Sequence, residues 1–117
     1  MVEVLIKKTT ERGAFVIHVD GELDMYTAPR LKNALGEGID QGYKTLVVDL
    51  RQVGFLDSTA LGVLVGSLRR LRAEQGDLRL VIDHPHLAKV FRITGFDGVF
   101  RISSDLDGAL GPVQPAT

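Results

Sequence analysis

Hydrophobic and polar positions change period several times along this chain, and each change marks an element. Val2, Val4 and Ile6 alternate with Glu3, Leu5 and Lys7, the two-residue period of a strand with one better-buried face. Thr9 to Gly13 is polar and ends in glycine, which predicts a hairpin turn; Phe15, Ile17 and Val19 then alternate with Ala14, Val16 and His18 as a second strand. Thr27-Ala28-Pro29 signals a helix start, because threonine caps and proline is tolerated in the first turn. Leu31, Ala34, Leu35 and Ile39 follow at helical spacing up to a stop at Gly42. Leu46 to Leu50 is nearly continuous in apolar residues, as in a central strand covered on both faces, with Asp49 the interruption.

The second half repeats the alternation of strand and helix. Leu61, Leu64, Val65, Leu68 and Leu71 form the stripe of an amphipathic helix that ends near Gly76, and Leu78 to Ile82 makes another strand. Pro85 opens a third helix capped by Asp83 or His84, carrying Leu87, Val90, Phe91 and Ile93 and closed by Gly95. Val99 to Ile102 reads as a short last strand and Ser104 to Leu110 as a short terminal helix. The order is β-β-α-β-α-β-α-β-α. Strands separated by helices imply right-handed parallel crossovers, and the opening hairpin adds an antiparallel pair. The expected fold is α/β, a single mixed β-sheet with helices packed against it. One domain spans residues 1–110, followed by a flexible tail over 111–117, which holds two prolines and little apolar content.

Composition removes several function classes. With 117 residues, 44% hydrophobic and 25% charged, the chain can build one core without disulfides or metals. A formal net charge of −1 supplies no global field for nucleic acid or an anionic membrane. The absence of cysteine excludes disulfides, thiolate zinc sites and cysteine nucleophiles. The N-terminal stretch lacks a signal-peptide core, and no apolar run reaches membrane-spanning length, so the expected location is cytoplasmic. Modest charge and a single core are compatible with a monomer.

The candidate chemistry centres on Asp57-Ser58-Thr59, where a buried strand meets an amphipathic helix. A hydroxyl there sits among unpaired N–H groups at the positive end of the helix dipole. Such a place suits a capping residue, a phosphorylated residue or an anion from a partner. Phosphate on Ser58 would add about two negative charges beside Asp57, tolerable at the helix end but opposed to a docked partner. The plainer alternative is that Asp57 or Ser58 is only an N-cap.

Other chemistry fares worse. A nucleophile elbow needs glycines where Leu56 and Ala60 stand, and no spacing favours His18, His84 or His86 as a base for Ser58. His84 and His86 beside Asp83 lack a third metal ligand, and no glycine-rich dinucleotide loop follows a strand. Ser58, Gly62, Gly66 and Arg69 share one flank of their helix. The glycines there fit either close packing inside the domain or a smooth surface for another protein. Val63 lies near the side opposite the apolar stripe.

Three separated segments, GELDMYTAPRLKNAL at 21–35, LVVDLRQVGFLDSTALGVLVG at 46–66 and FRITGFDGVF at 91–100, resemble the STAS-domain family, specifically the bacterial anti-sigma factor antagonists. The resemblance covers about Val2 to Leu110. It implies that Ser58, directly after the aspartate, is the phosphoacceptor, and that the partner is an anti-sigma factor serine kinase. The unmodified antagonist would bind that kinase and free a sigma factor. Phosphorylation would release it, and a serine phosphatase would restore it. Asp24, Tyr26, Thr27, Asp57, Ser58, Thr59, Leu61 and Gly62 would form the partner surface. The resemblance implies no enzyme activity and no cofactor in this chain, since ATP and magnesium belong to the kinase. Ala60 departs from the family's glycine; alanine is the better helix former, so the helix start survives, but its methyl could crowd a closely approaching kinase. STAS domains also serve as accessory subunits of other signalling or lipid-transport assemblies, which is the alternative role.

Overall fold

The opening hairpin turns more tightly than its sequence suggests. In the computed structural model, which describes residues 4–112, the first strand β1 (Leu5–Glu11) runs through the threonines and pairs with β2 (Ala14–Leu23). The turn is only Arg12 and Gly13, at φ 50 and 78. Positive φ at both central residues gives a turn whose twist matches the flanking strands. Thr9 and Thr10 belong to the ladder because β-branched residues suit a half-exposed strand. Val2, Glu3 and residues 113–117, parts of the expected first strand and tail, lie outside the described residues.

Beyond the hairpin the chain forms α1 (Ala28–Asp40), β3 (Thr45–Leu56), α2 (Ser58–Ala73), β4 (Asp77–Val81), α3 (Pro85–Ile93), a 3-10 turn (Phe96–Gly98), β5 (Arg101–Ser103) and α4 (Leu106–Leu110). The sheet order is β1-β2-β3-β4-β5, with β1–β2 antiparallel and every other pair parallel. This is the expected mixed sheet.

Strand alternation divides the core into two faces. Phe15, Ile17 and Val19, Leu46, Val48 and Leu50, and Leu78 and Leu80 face α1, α2 and α3, packing with Leu31, Leu35, Leu64, Leu68, Leu87 and Phe91. Ala14, Val16, Val47 and Val81 point the other way and, among the described residues, meet α4 through Ala109 and partly buried Leu106 and Leu110.

Several expected boundaries move. β3 extends to Leu56 rather than stopping at Leu50, because the ladder with β2 shifts register at His18/Asp20 and again at Gly21/Glu22. Such irregularities break the strict alternation that marks a strand in sequence. Asp49 does not interrupt an apolar face, since it lies on the α4 side within a polar network. α2 ends at Ala73, and Gly76 follows where a Cβ would stand 2.6 Å from the Lys44 carbonyl oxygen. Ile93 is 72% exposed rather than part of the α3 apolar face. Val99 and Phe100 precede β5, and α4 begins at Leu106, capped by Asp105, whose carboxylate accepts from the Gly108 N–H.

Candidate functional site

β3 delivers the chain to one edge of the sheet, and Asp57 turns it into α2. Asp57 is the N-cap, with extended backbone (φ −99, ψ −179), and its Oδ1 accepts the Ala60 N–H at 3.0 Å. Its own N–H donates to the Leu23 carbonyl at 3.0 Å, and its carbonyl accepts from Leu61. Of the two capping candidates, Asp57 therefore does the capping. Ser58 is left as the first residue of a 16-residue helix, exposed to solvent. Thr59 beside it is exposed as well.

The neighbouring β2–α1 loop is held by a second aspartate. Asp24 Oδ1 accepts the N–H groups of Tyr26 (2.8 Å) and Thr27 (3.0 Å). Thr27 has a different role from the expected cap. It makes no side-chain capping bond to α1; its hydroxyl donates to the Glu22 carbonyl at 2.7 Å and accepts from the Asp24 N–H at 2.9 Å. The Thr27 N–H leads in holding the Asp24 carboxyl below its ordinary pKa of 3.8, helped by the Tyr26 N–H against a smaller opposing effect of burial.

The eight expected residues thus divide into two groups. Tyr26 (82% exposed), Ser58, Thr59 and Gly62 offer surface. Asp24, Thr27 and Asp57 brace the loops, and Leu61, at 8% exposure, packs into the core. Two further residues join the surface, Met25 at 60% and Phe55 at 47% exposed. Phe55 is the register partner of Glu22, so β2 and β3 bring it beside the Asp24–Tyr26 loop. Sequence periodicity hid Phe55 because it lies in the irregular end of β3. The signals available were Phe55, two residues before Asp57, and Met25-Tyr26 ahead of α1, large apolar residues that no helix stripe requires.

Residues 6–109 match the STAS domain family. The chain belongs to that family. It is 41% identical over 93 residues to the anti-sigma-B factor antagonist of Listeria monocytogenes, covering 75% of this chain and 77% of that one. The crystal structure of an anti-sigma factor antagonist from Mycobacterium paratuberculosis superposes with a TM-score of 0.86 at 31% identity, covering 92% of each chain. The antagonist SpoIIAA, 25% identical, aligns over 86% of this chain in both forms. Its unphosphorylated form gives a TM-score of 0.72 with 90% of its chain covered, and its phosphorylated form 0.67 with 93% covered.

In this STAS domain the Ala60 methyl cannot crowd a partner. Ala60 is 0% exposed and belongs to the core beneath the first turn of α2, so the expected obstruction is overturned. The glycine question is also decided against close packing within the domain. A Cβ built on Gly62 or Gly66 meets nothing within 4 Å. The same holds for Gly36 on α1, and between the two helices runs an open groove of about 790 Å³. Val63 lines that groove and packs partly against the core, so it does not lie opposite the apolar stripe.

Two of the three histidines of this STAS domain, His18 and His84, have structural partners, and His86 is exposed. His84 Nδ1 accepts the Leu87 N–H at 3.4 Å as the α3 cap, which leaves the proton on Nε2 to donate to the Val53 carbonyl at 3.1 Å. His18 lies between Thr9 and Asp49 on the α4 side of the sheet, with ring contacts of 3.2 and 2.9 Å. Asp49 also takes a paired contact from Arg51, through Nε and Nη2 at 2.9 Å each. Burial pushes the Asp49 carboxyl up, but the hydrogen bonds from Arg51 and His18 outweigh it and hold the group below 3.8. Among the described residues no group of three metal-ligating side chains is placed to hold an ion, and no helix is long and apolar enough to cross a membrane.

Proposed function

We propose that this STAS domain is an anti-sigma factor antagonist that binds an anti-sigma factor serine kinase while Ser58 is unmodified and is released when Ser58 is phosphorylated. The observation that carries the reading is the exposed Ser58 at the first position of α2, on a helix start already capped by Asp57. Because Asp57 satisfies the Ala60 N–H, the serine hydroxyl is not needed to build the helix. Supporting it, similar chains carry the name anti-sigma factor antagonist, and SpoIIAA is known in both unphosphorylated and phosphorylated forms.

The switch is electrostatic and steric. Phosphorylation adds about two negative charges and three strong acceptor oxygens to a first turn that already holds the Asp57 carboxylate. The helix dipole offsets part of that charge, so the domain keeps its fold. A partner seated on Tyr26, Met25, Phe55 and the open flank of α2 meets a hydrated dianion at the centre of the contact. A serine phosphatase resets the state.

Binding of the purified anti-sigma factor, followed by calorimetry, tests this. Ser58→Ala should bind as the unmodified protein does, and Ser58→Glu should bind more weakly by on the order of tenfold or more, about 1.4 kcal/mol. Equal affinity for both variants would reject the switch.

A further inference from the structure

At the end of the sheet remote from Ser58, three arginines from three elements line one small pocket. Arg12 comes from the β1–β2 turn, Arg79 from β4 and Arg101 from β5, and Ala14, Thr45 and residues 110–112 complete the wall. Its volume is about 240 Å³. That is below the range of roughly 300–1,000 Å³ common for small-molecule sites, so it suits a compact ion rather than a nucleotide. The twelve residues of β3 separate this wall from Asp57, a path of roughly 35–40 Å at strand rise.

Arg79 and Arg101 are direct register partners on neighbouring strands, so their side chains leave the same face of the sheet. Like charges placed opposite one another oppose strand pairing unless something lies between them. Arg79 donates through Nη1 to the Ala109 carbonyl at 2.9 Å, but its Nε is buried without a hydrogen-bond partner among the described residues. The nearest carboxylate oxygen, on Asp77, stands 3.6 Å away, an ion pair too long for a hydrogen bond. Arg12 is fixed by Asp107 and by the Gly111 carbonyl. Arg101 is exposed and makes no ion pair among the described residues. A buried donor left without an acceptor is costly, and a guanidinium fork matches an oxyanion with two parallel bonds.

We infer that this pocket binds a phosphate-sized oxyanion, held between Arg79 and Arg101 with Arg12 contributing charge at the rim. The anion accepts from the outer edge of the Arg79 guanidinium, whose Nη1 is held by the Ala109 carbonyl, and separates the two facing guanidinium groups. It thereby ties β5 and α4 to the centre of the sheet. The site does not depend on the reading of Ser58.

Titration of the full chain with inorganic phosphate at constant ionic strength, followed by nitrogen-15 NMR of backbone and arginine Nε–H signals, tests it. The expected result is a saturable shift of Arg79 Nε–H and of the Thr45 and Leu110 amides, with a dissociation constant on the order of 1 mM. Glycerol 2-phosphate in a parallel titration distinguishes free phosphate from a phosphate monoester as the bound form, and saturable binding of either supports the site. Arg101→Gln should weaken binding about tenfold with the fold intact, because Arg101 has no partner to lose; Arg79→Gln, which also loosens α4, is the second variant. Shifts that fail to saturate, that chloride reproduces, or that persist unchanged in Arg101→Gln would overturn the assignment.

Discussion

The backbone N–H of Asp57 donates to the Leu23 carbonyl at 3.0 Å, one residue before the exposed serine. That bond fastens the end of β2, and through it the Asp24–Thr27 loop, to the start of α2. Two surface patches far apart in sequence are thereby held in one orientation by backbone, and the cap from Asp57 to Ala60 fixes the helix entry. The domain presents a prepared surface whose only proposed variable is the chemical state of Ser58.

Asp57→Ala should cost about 1 kcal/mol of unfolding free energy, the usual loss for an N-cap carboxylate. Urea unfolding measures it. The same variant should bind the anti-sigma factor less well, because the Ser58 turn loses its anchor. A variant as stable as the parent would show that the cap contributes nothing.

Gly62→Ala and Gly66→Ala separate the two costs of an open helix flank. Nothing lies within 4 Å of the added methyl, so each should stabilise the free domain by roughly 1 kcal/mol through helix propensity. Each should also weaken partner binding if the flank is used. Stabilisation without any loss of affinity would remove Gly62 from the partner surface.

The acid limb of stability should trace to Asp24 and Asp49, whose carboxyls are both held below 3.8 in the folded protein. A depressed carboxyl contributes stability that is present above its unfolded value and lost as pH falls through the lower folded value. Stability should therefore decline below about pH 4, and Asp49→Asn should flatten that decline. At neutral pH Asp49→Asn should cost about 1–3 kcal/mol, since it removes the charge that Arg51 pairs with and turns one of the two accepting oxygens into an N–H donor. Denaturant midpoints from pH 7 to pH 3 provide the check.

The sequence carried the element order and the mixed sheet, because helix stripes such as Leu61-Leu64-Leu68-Leu71 and alternations such as Phe15-Ile17-Val19 follow simple periods. It also placed Ser58 at a helix start. What it missed has local physical causes. The extension of β3 to Leu56 hid behind register shifts against β2, and with it Phe55 went unnoticed as surface. The inward direction of Ala60 depends on which residue caps, and Asp57 rather than Ser58 sets that phase. The Asp24 clamp and the Asp49–Arg51–His18 network rest on side chains meeting across loops and strands, which no period encodes.

The most direct test of the central claim is peptide mass spectrometry after incubation with an anti-sigma factor serine kinase and ATP. One added phosphate located on Ser58, and absent from Ser58→Ala while Thr59→Ala still acquires it, is the predicted result. Phosphate on Thr59 alone, or stable kinase binding with no phosphate on Ser58, would contradict it.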